Sequence, residues 1–261
     1  NQHDPMTKRL LPLFAVAFAA FLLVGCHSQD SSPEPTAPPD RLPMGRIAVV
    51  IDKSGSAPKN RIPPMRPDQF QPFFDVLRER GGELAVGVIR EDSNWPLRRL
   101  SIAPPPSSPP PLPDNVNPYD MEKVVQHGEA EKKYQRDLEQ RRRDLENRVE
   151  AFKDRIEPVL EATADAQKSD IGRAVARAEL FLKEPTSHPH PIRKYGVLIT
   201  DGADNVTGEL SPITSEATYV VVNGTGVLGV LDGLSTRHFE SPAAAFSYVS
   251  RRLASEGGSQ S

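Results

Sequence analysis

The stretch RIAVVID, Arg46 to Asp52, is an unbroken apolar run of strand length that stops abruptly on polar residues, and YGVLITDG, Tyr195 to Gly202, repeats the pattern. A strand with one wet face alternates apolar and polar residues. A run without alternation is buried on both faces, which is the mark of a parallel sheet covered on each side. ELAVGVIRE from Glu83 and ATYVVVNG from Ala217 read as further strands, and LRRLSIA from Leu97 as a weaker one. Between them lie helical stretches. DQFQPFFDVLRER has Pro67 at its first turn and Gly81-Gly82 as a stop, and SDIGRAVARAELFL has Ser169 or Asp170 available as a cap. A last amphipathic helix runs from about Phe239 through Ala254, ahead of a polar tail over residues 255–261. Strands alternating with helices predict an α/β fold: a doubly wound, mostly parallel sheet with helices on both faces.

Of 261 residues, 37% are apolar, enough for one core once tails and linkers are set aside. Many of the 27 prolines fall in two tracts that serve as boundary markers. One tract lies in residues 26–44, small and polar, which cannot bury enough surface to offset the entropy of ordering and reads as a flexible tether. The other, PPPSSPPPLP from Pro104 to Pro113, can neither donate to a sheet nor continue a helix and marks the exit from the fold. Beyond it Tyr134, Leu138, Leu145, Val149, Phe152, Ile156 and Val159 fall at spacings of threes and fours, a helical seam interrupted by Arg141 and Arg142. About forty helical residues would extend roughly 60 Å, so residues 104–163 are expected to form a Pro-rich loop and an inserted, coiled-coil-like helical arm. An extra helix laying one face over the domain is the alternative. The domain itself is then residues 45–103 and 164–254, and residues 119–160 leave self-association open.

Cys26 is the single cysteine, which excludes an internal disulfide and a multi-cysteine zinc site. Met6 reads as the start, Lys8 and Arg9 as a basic region, and Leu10 to Val24 as an apolar stretch. That stretch is shorter than the roughly 20 residues of a membrane span, so residues 1–25 are expected to be a signal peptide. Leu23-Val24-Gly25-Cys26 resembles the lipobox of bacterial lipoproteins, which implies that Cys26 becomes a lipidated N-terminus holding the chain at a membrane of the cell envelope. His27 rather than Asp after the cysteine favours the outer membrane over the inner. The 32 basic and 35 acidic side chains are interspersed, giving a net charge of −3 and no field of one sign to recruit nucleic acid.

Ligands of open α/β sheets bind past the carboxyl ends of the strands. Two oxygen-rich loops sit there: Asp52-Lys53-Ser54-Gly55-Ser56 after the first strand, and Thr200-Asp201-Gly202 after YGVLI. Carboxylates and hydroxyls without Cys or clustered His suit a hard cation, Mg²⁺ foremost, with Mn²⁺ and Ca²⁺ as competitors. Asp52-x-Ser54-x-Ser56 followed by Asp201-Gly202 on a later strand resembles the metal-ion-dependent adhesion site of von Willebrand factor type A domains, over about residues 46–103 and 164–254. That family adds a hydroxyl, usually Thr, before a middle helix. Here the position is Ser169 in KSDIGRA, and Pro58, Pro63 and Pro64 delay the helix that usually follows the first motif. The resemblance implies metal ligation by Asp52, Ser54, Ser56, Ser169 and Asp201, and a protein partner whose carboxylate completes the coordination.

Other readings stand beside this one. Asp52 and Asp201 could be helix caps and the serines turn residues. Asp204 and Asn205 could serve the site or a turn, and His188 and His190 could bind a metal or lie in a solvated connector. Trp95 and Tyr119 stand alone. Function is expected to be binding rather than catalysis, because no His, Lys or Glu at either motif stands out as a general base apart from Lys53, which should point away from its neighbours, and there is no G-x-x-x-x-G-K-S/T phosphate loop. A Mg²⁺-dependent hydrolase and a metal-free structural lipoprotein binding through its helical arm are the alternatives.

Overall fold

The structure, a computed structural model, describes residues 42–255 apart from 58–61, 63, 94, 112–120, 187, 204–205, 207–209, 211, 224–230, 232–233 and 235–236. The expected signal peptide, Cys26, most of the tether, Tyr119, Asp204, Asn205 and residues 256–261 lie outside the described residues.

Elements follow one another as β1 (Met44–Asp52), a 3-10 turn (Pro67–Phe70) leading into α1 (Gln71–Arg80), β2 (Gly82–Ile89), β3 (Arg98–Ile102) and α2 (Met121–Glu161). Then come α3 (Ile171–Lys183), β4 (Ile192–Ile199), β5 (Thr218–Val222), β6 (Arg237–Phe239) and α4 (Pro242–Ser255). The six strands lie in the order β3-β2-β1-β4-β5-β6. All neighbours are parallel except β2 and β3, which are antiparallel. The protein is therefore an α/β fold with a mixed, mostly parallel sheet. β1 lies at its centre, buried along its whole length, which is why its sequence shows no alternation.

Successive side chains of a strand point to opposite faces, and β1 divides its residues accordingly. Ile47, Val49 and Ile51 join the core beneath α1, α2 and α4, where Phe70, Phe73 and Phe246 pack ring to ring. Ala48 and Val50 face α3, whose Ile171, Ala174, Val175, Ala178 and Phe181 cover the other side. Gly81, at φ 77°, ends α1 in a backbone conformation that side chains with a Cβ avoid, and the chain turns at once into β2.

The long segment after the Pro run differs from a freestanding arm. It is one helix of 41 residues, but Leu145, Val149, Phe152, Ile156 and Leu160 are buried in the core, with Phe152 set edge-on to Phe74 at 6.1 Å. Its second half is thus a covering helix of the domain, and only the first half, over residues 121–144, is largely exposed. Arg141 marks the boundary. Its guanidinium donates to the carbonyls of Arg78, at the end of α1, and Ala103, after β3, at 2.7 and 3.1 Å. An arginine that breaks a coiled-coil seam is here the residue that fastens the helix where it reaches the domain.

Candidate metal site

The strand register sets the site. Asp52 pairs with Ile89 and Ile51 with Ile199, so β1, β2 and β4 end level and their following loops meet. The same alternation that sends Ala48 and Val50 toward α3 sends Asp52 there too, to the place where the segment entering α3 arrives. Leu198 of β4 faces the α3 side as well, which puts Thr200 on Asp52's face.

Asp52 is the hub. Its Oδ1 accepts from the Ser54 amide at 2.8 Å and from the Ser169 hydroxyl at 3.4 Å, and its Oδ2 accepts from the Thr200 hydroxyl at 2.7 Å. Asp201 is tied to the first loop by Ser56, whose hydroxyl donates to Oδ2 at 2.7 Å and lies 3.0 Å from that of Ser54. The Ala203 amide donates to the other Asp201 oxygen at 3.0 Å, and the Asn223 side chain holds its carbonyl at 3.2 Å. Gly202, at φ 83°, gives the turn that lets its own amide reach Thr200 Oγ1 at 3.1 Å. All five residues expected from sequence therefore meet in one hydrogen-bonded cluster. Asp52, Ser54, Ser169 and Asp201 are each at most 3% exposed, and Ser56 is half-buried on the open side.

Local backbone bonds keep the third loop in place. Ser54 and Ala166 form an isolated parallel bridge, with Gly55 N donating to Ala166 O at 2.8 Å and Ala166 N to Lys53 O at 3.3 Å. Asp170 N donates to Arg90 O at 2.9 Å, and the Asp170 carboxylate caps α3 by accepting from Arg173 N at 3.0 Å. Of the two cap candidates, Asp170 does the capping and leaves the Ser169 hydroxyl to the cluster.

Burial pushes the Asp52 carboxyl above the usual carboxylate range. Its bonds from Thr200 and Ser54 oppose this, and the neighbouring Asp201 charge adds to it. Burial also lowers Lys53, assisted by Arg90. Among the described residues no three His, Cys, Asp or Glu side chains converge in a metal-binding group. A cation at this cluster would have two carboxylates, hydroxyls and water around it, a donor set that fits a hard ion of the Mg²⁺ kind.

Sequence reasoning missed Thr200 as a direct partner of Asp52. The signal was present, since Thr200 continues the alternation of β4 beyond Leu198. Asn223, at the end of β5, had no such signal. His188 and His190 precede β4, at the other end of the strands from the cluster; His190 Nδ1 lies 3.4 Å from the Leu42 carbonyl. Trp95 is displayed on the β2–β3 loop, 58% exposed, where Arg177 of α3 donates to the carbonyls of Ser93 and Trp95.

No protein-family model and no curated protein matches the chain. Among solved structures, two crystal structures of proximal thread matrix protein 1 from the mussel byssus align with 82% of this chain, at 13% and 12% identity and TM-scores of 0.40 and 0.36. This chain spans about half of their length, 47% and 48%. The N-terminal domain of TFIIH p34 aligns with 81% of this chain and 90% of its own, at 11% identity and a TM-score of 0.28. Likeness at this level assigns neither a family nor an activity to the chain.

Proposed function

We propose that residues 44–255 form a von Willebrand factor type A-like binding domain that takes a divalent cation, Mg²⁺ in the first place. Asp52, Ser54, Ser56, Ser169 and Asp201 hold the ion, and through it the domain recruits a carboxylate of a protein partner. The observation that carries this reading is the convergence of those five side chains, from three separate loops, at the carboxyl ends of β1 and β4. A cap or turn role for each residue singly does not require that they share one cluster. The bound ion would supply a Lewis-acidic position for an anionic oxygen. The chain's own part is to place two carboxylates and three hydroxyls so that ligand positions remain for water or a partner's Asp or Glu, since a hard ion prefers about six oxygens. The role is binding and not catalysis, and the partner is a protein and not nucleic acid. In the same reading Cys26 carries the lipid that tethers the domain to the envelope, at the outer membrane.

Titration calorimetry of the chain with Mg²⁺ and Mn²⁺ tests the site: heat is expected for the wild type and none for Asp201→Ala, with cooperative unfolding retained in both. Affinity capture from solubilised membranes, with Mg²⁺ and then with chelator, tests the partner. A partner retained equally in both conditions would sink the metal-dependent reading. The contact would then pass to the first half of α2, where Met121 and Val125 stand 64% and 51% exposed. For the anchor, Cys26→Ser is expected to block maturation or release the protein from the membrane fraction.

A further inference from the structure

Lys53 lies between two of the proposed ligands, yet its side chain takes no part in the cluster. Alternation explains this. Ile47, Val49 and Ile51 face α1, α2 and α4, and Lys53 follows them to that side. There it is 6% exposed, and its Nζ donates to the carbonyl of Leu160 in the last turn of α2.

That carbonyl needs a partner. The last four carbonyls of a helix have no acceptor role within it, and the dipole makes this end partially negative, so a Lys or Arg in the last turn commonly compensates. The last turn of α2 contains no basic residue and does contain Pro158. The Pro158 carbonyl accepts from Ala162 N at 3.1 Å, and Leu160 receives its cation from β1's loop instead. The backbone of the same lysine holds the chain a few residues further on, through Ala166 N to Lys53 O, with Gly55 N to Ala166 O beside it. The segment between these fastenings runs directly into Ser169.

We infer that Lys53 is a positioning residue of the cation site: by capping α2 from another element it fixes both ends of the 160–166 segment, and so sets where Ser169 stands relative to Asp52. The inference rests on the metal reading above. It has a sign that plain electrostatics does not share. A lysine beside two carboxylates repels a dication, so as a bystander its removal would tighten Mg²⁺ binding. As a positioning residue, its removal weakens binding.

The test is Mg²⁺ affinity of the full chain by calorimetry for wild type, Lys53→Met and Lys53→Arg. Lys53→Met, which keeps the length and loses the charge, is expected to bind about tenfold more weakly, the scale seen when residues supporting metal ligands are lost. Lys53→Arg, which keeps the cation, is expected to lose less. Equal or tighter binding by Lys53→Met overturns the inference while the metal reading stands. A wild type that takes up no Mg²⁺ overturns the metal reading itself. If Lys53→Met does not fold, hydrogen exchange of the wild type decides. Slowing of the Ala162 and Ala166 amides by Mg²⁺ relative to chelator supports the coupling, and protection confined to residues 52–56 and 200–203 overturns it.

Discussion

Glu179 and Asp52 are both carboxylates buried on the α3 side of the sheet, and their surroundings differ in how fully they offset that burial. Glu179, on α3, accepts from the amides of Thr214 and Ser215 at 2.9 and 3.0 Å, from the Ser215 hydroxyl, and from Tyr219 OH at 2.6 Å. Lys183 stands 3.9 Å away. Burial alone would raise its pKa, but these four hydrogen bonds together outweigh it and hold the group below the usual range. Asp52 accepts from Thr200, from the amide and hydroxyl of Ser54 and, at 3.4 Å, from Ser169, but a second carboxylate is its neighbour; burial prevails and its pKa is raised. The first group is a finished joint that ties the approach to β5 onto α3. The second is a charge only partly compensated by the chain, at the place where three loops open toward solvent.

Breaking the joint should have the largest effect. Glu179→Gln leaves amide and hydroxyl donors mismatched in the core and is expected to cost about 3 kcal/mol, on the scale of charged hydrogen bonds lost in a buried site. For a domain of this size that corresponds to a fall in Tm of roughly 6–12 °C, measured by calorimetry at neutral pH. An unchanged Tm would mean that Glu179 is not a joint. The same group gives the wild type an acid-sensitive term. A carboxyl held below its ordinary value of 4.5 contributes stability that is complete above that value and lost as pH falls through the lower folded value, so urea midpoints should drop across that window. In Glu179→Gln this part of the pH dependence should disappear.

Next in size is the effect of a cation on the incomplete site. Mg²⁺ at about 100 times its dissociation constant should stabilise the wild type by roughly 2.7 kcal/mol, read as a rise in Tm. The rise should vanish in Asp201→Ala and persist in Tyr219→Phe. Tyr219→Phe removes one donor from the joint and is expected to lose about 1 kcal/mol with Mg²⁺ affinity unaltered. A coupled loss of affinity there would blur the distinction between the two regions. The smallest change is expected for Asp52→Asn measured in chelator, within about 1 kcal/mol of wild type, because relief of a charge that burial and Asp201 oppose offsets the donor left mismatched. If that variant instead unfolds as readily as Glu179→Gln, Asp52 is a structural joint as well.

Much of the architecture was legible because burial writes itself into sequence. The strands without alternation, the Gly81-Gly82 stop and the cap before α3 each follow from a local rule. Asp52, Ser54, Ser56 and Asp201 were legible together because loops that follow neighbouring parallel strands share one edge of the sheet, whereas Ser169, which precedes α3, was suggested only by the family resemblance. The helix after the Pro run was legible as a helix but not in its placement. Its apolar spacing is the same whether the face meets a second helix or the sheet, and Arg141 reads alike as an interruption or a fastening.

What the sequence by itself determined, then, is the set of elements, their hydrophobic faces and the residue types available at each loop, because these depend on neighbours within a few positions. Only the tertiary structure decided that the second half of α2 covers Phe74, that Asp170 caps while Ser169 turns to Asp52, and that Lys53 reaches Leu160 across 107 positions. Those choices depend on which partner is brought within hydrogen-bond range by the packing of the whole chain. Hydrogen-bond range is a distance in space that sequence separation does not encode.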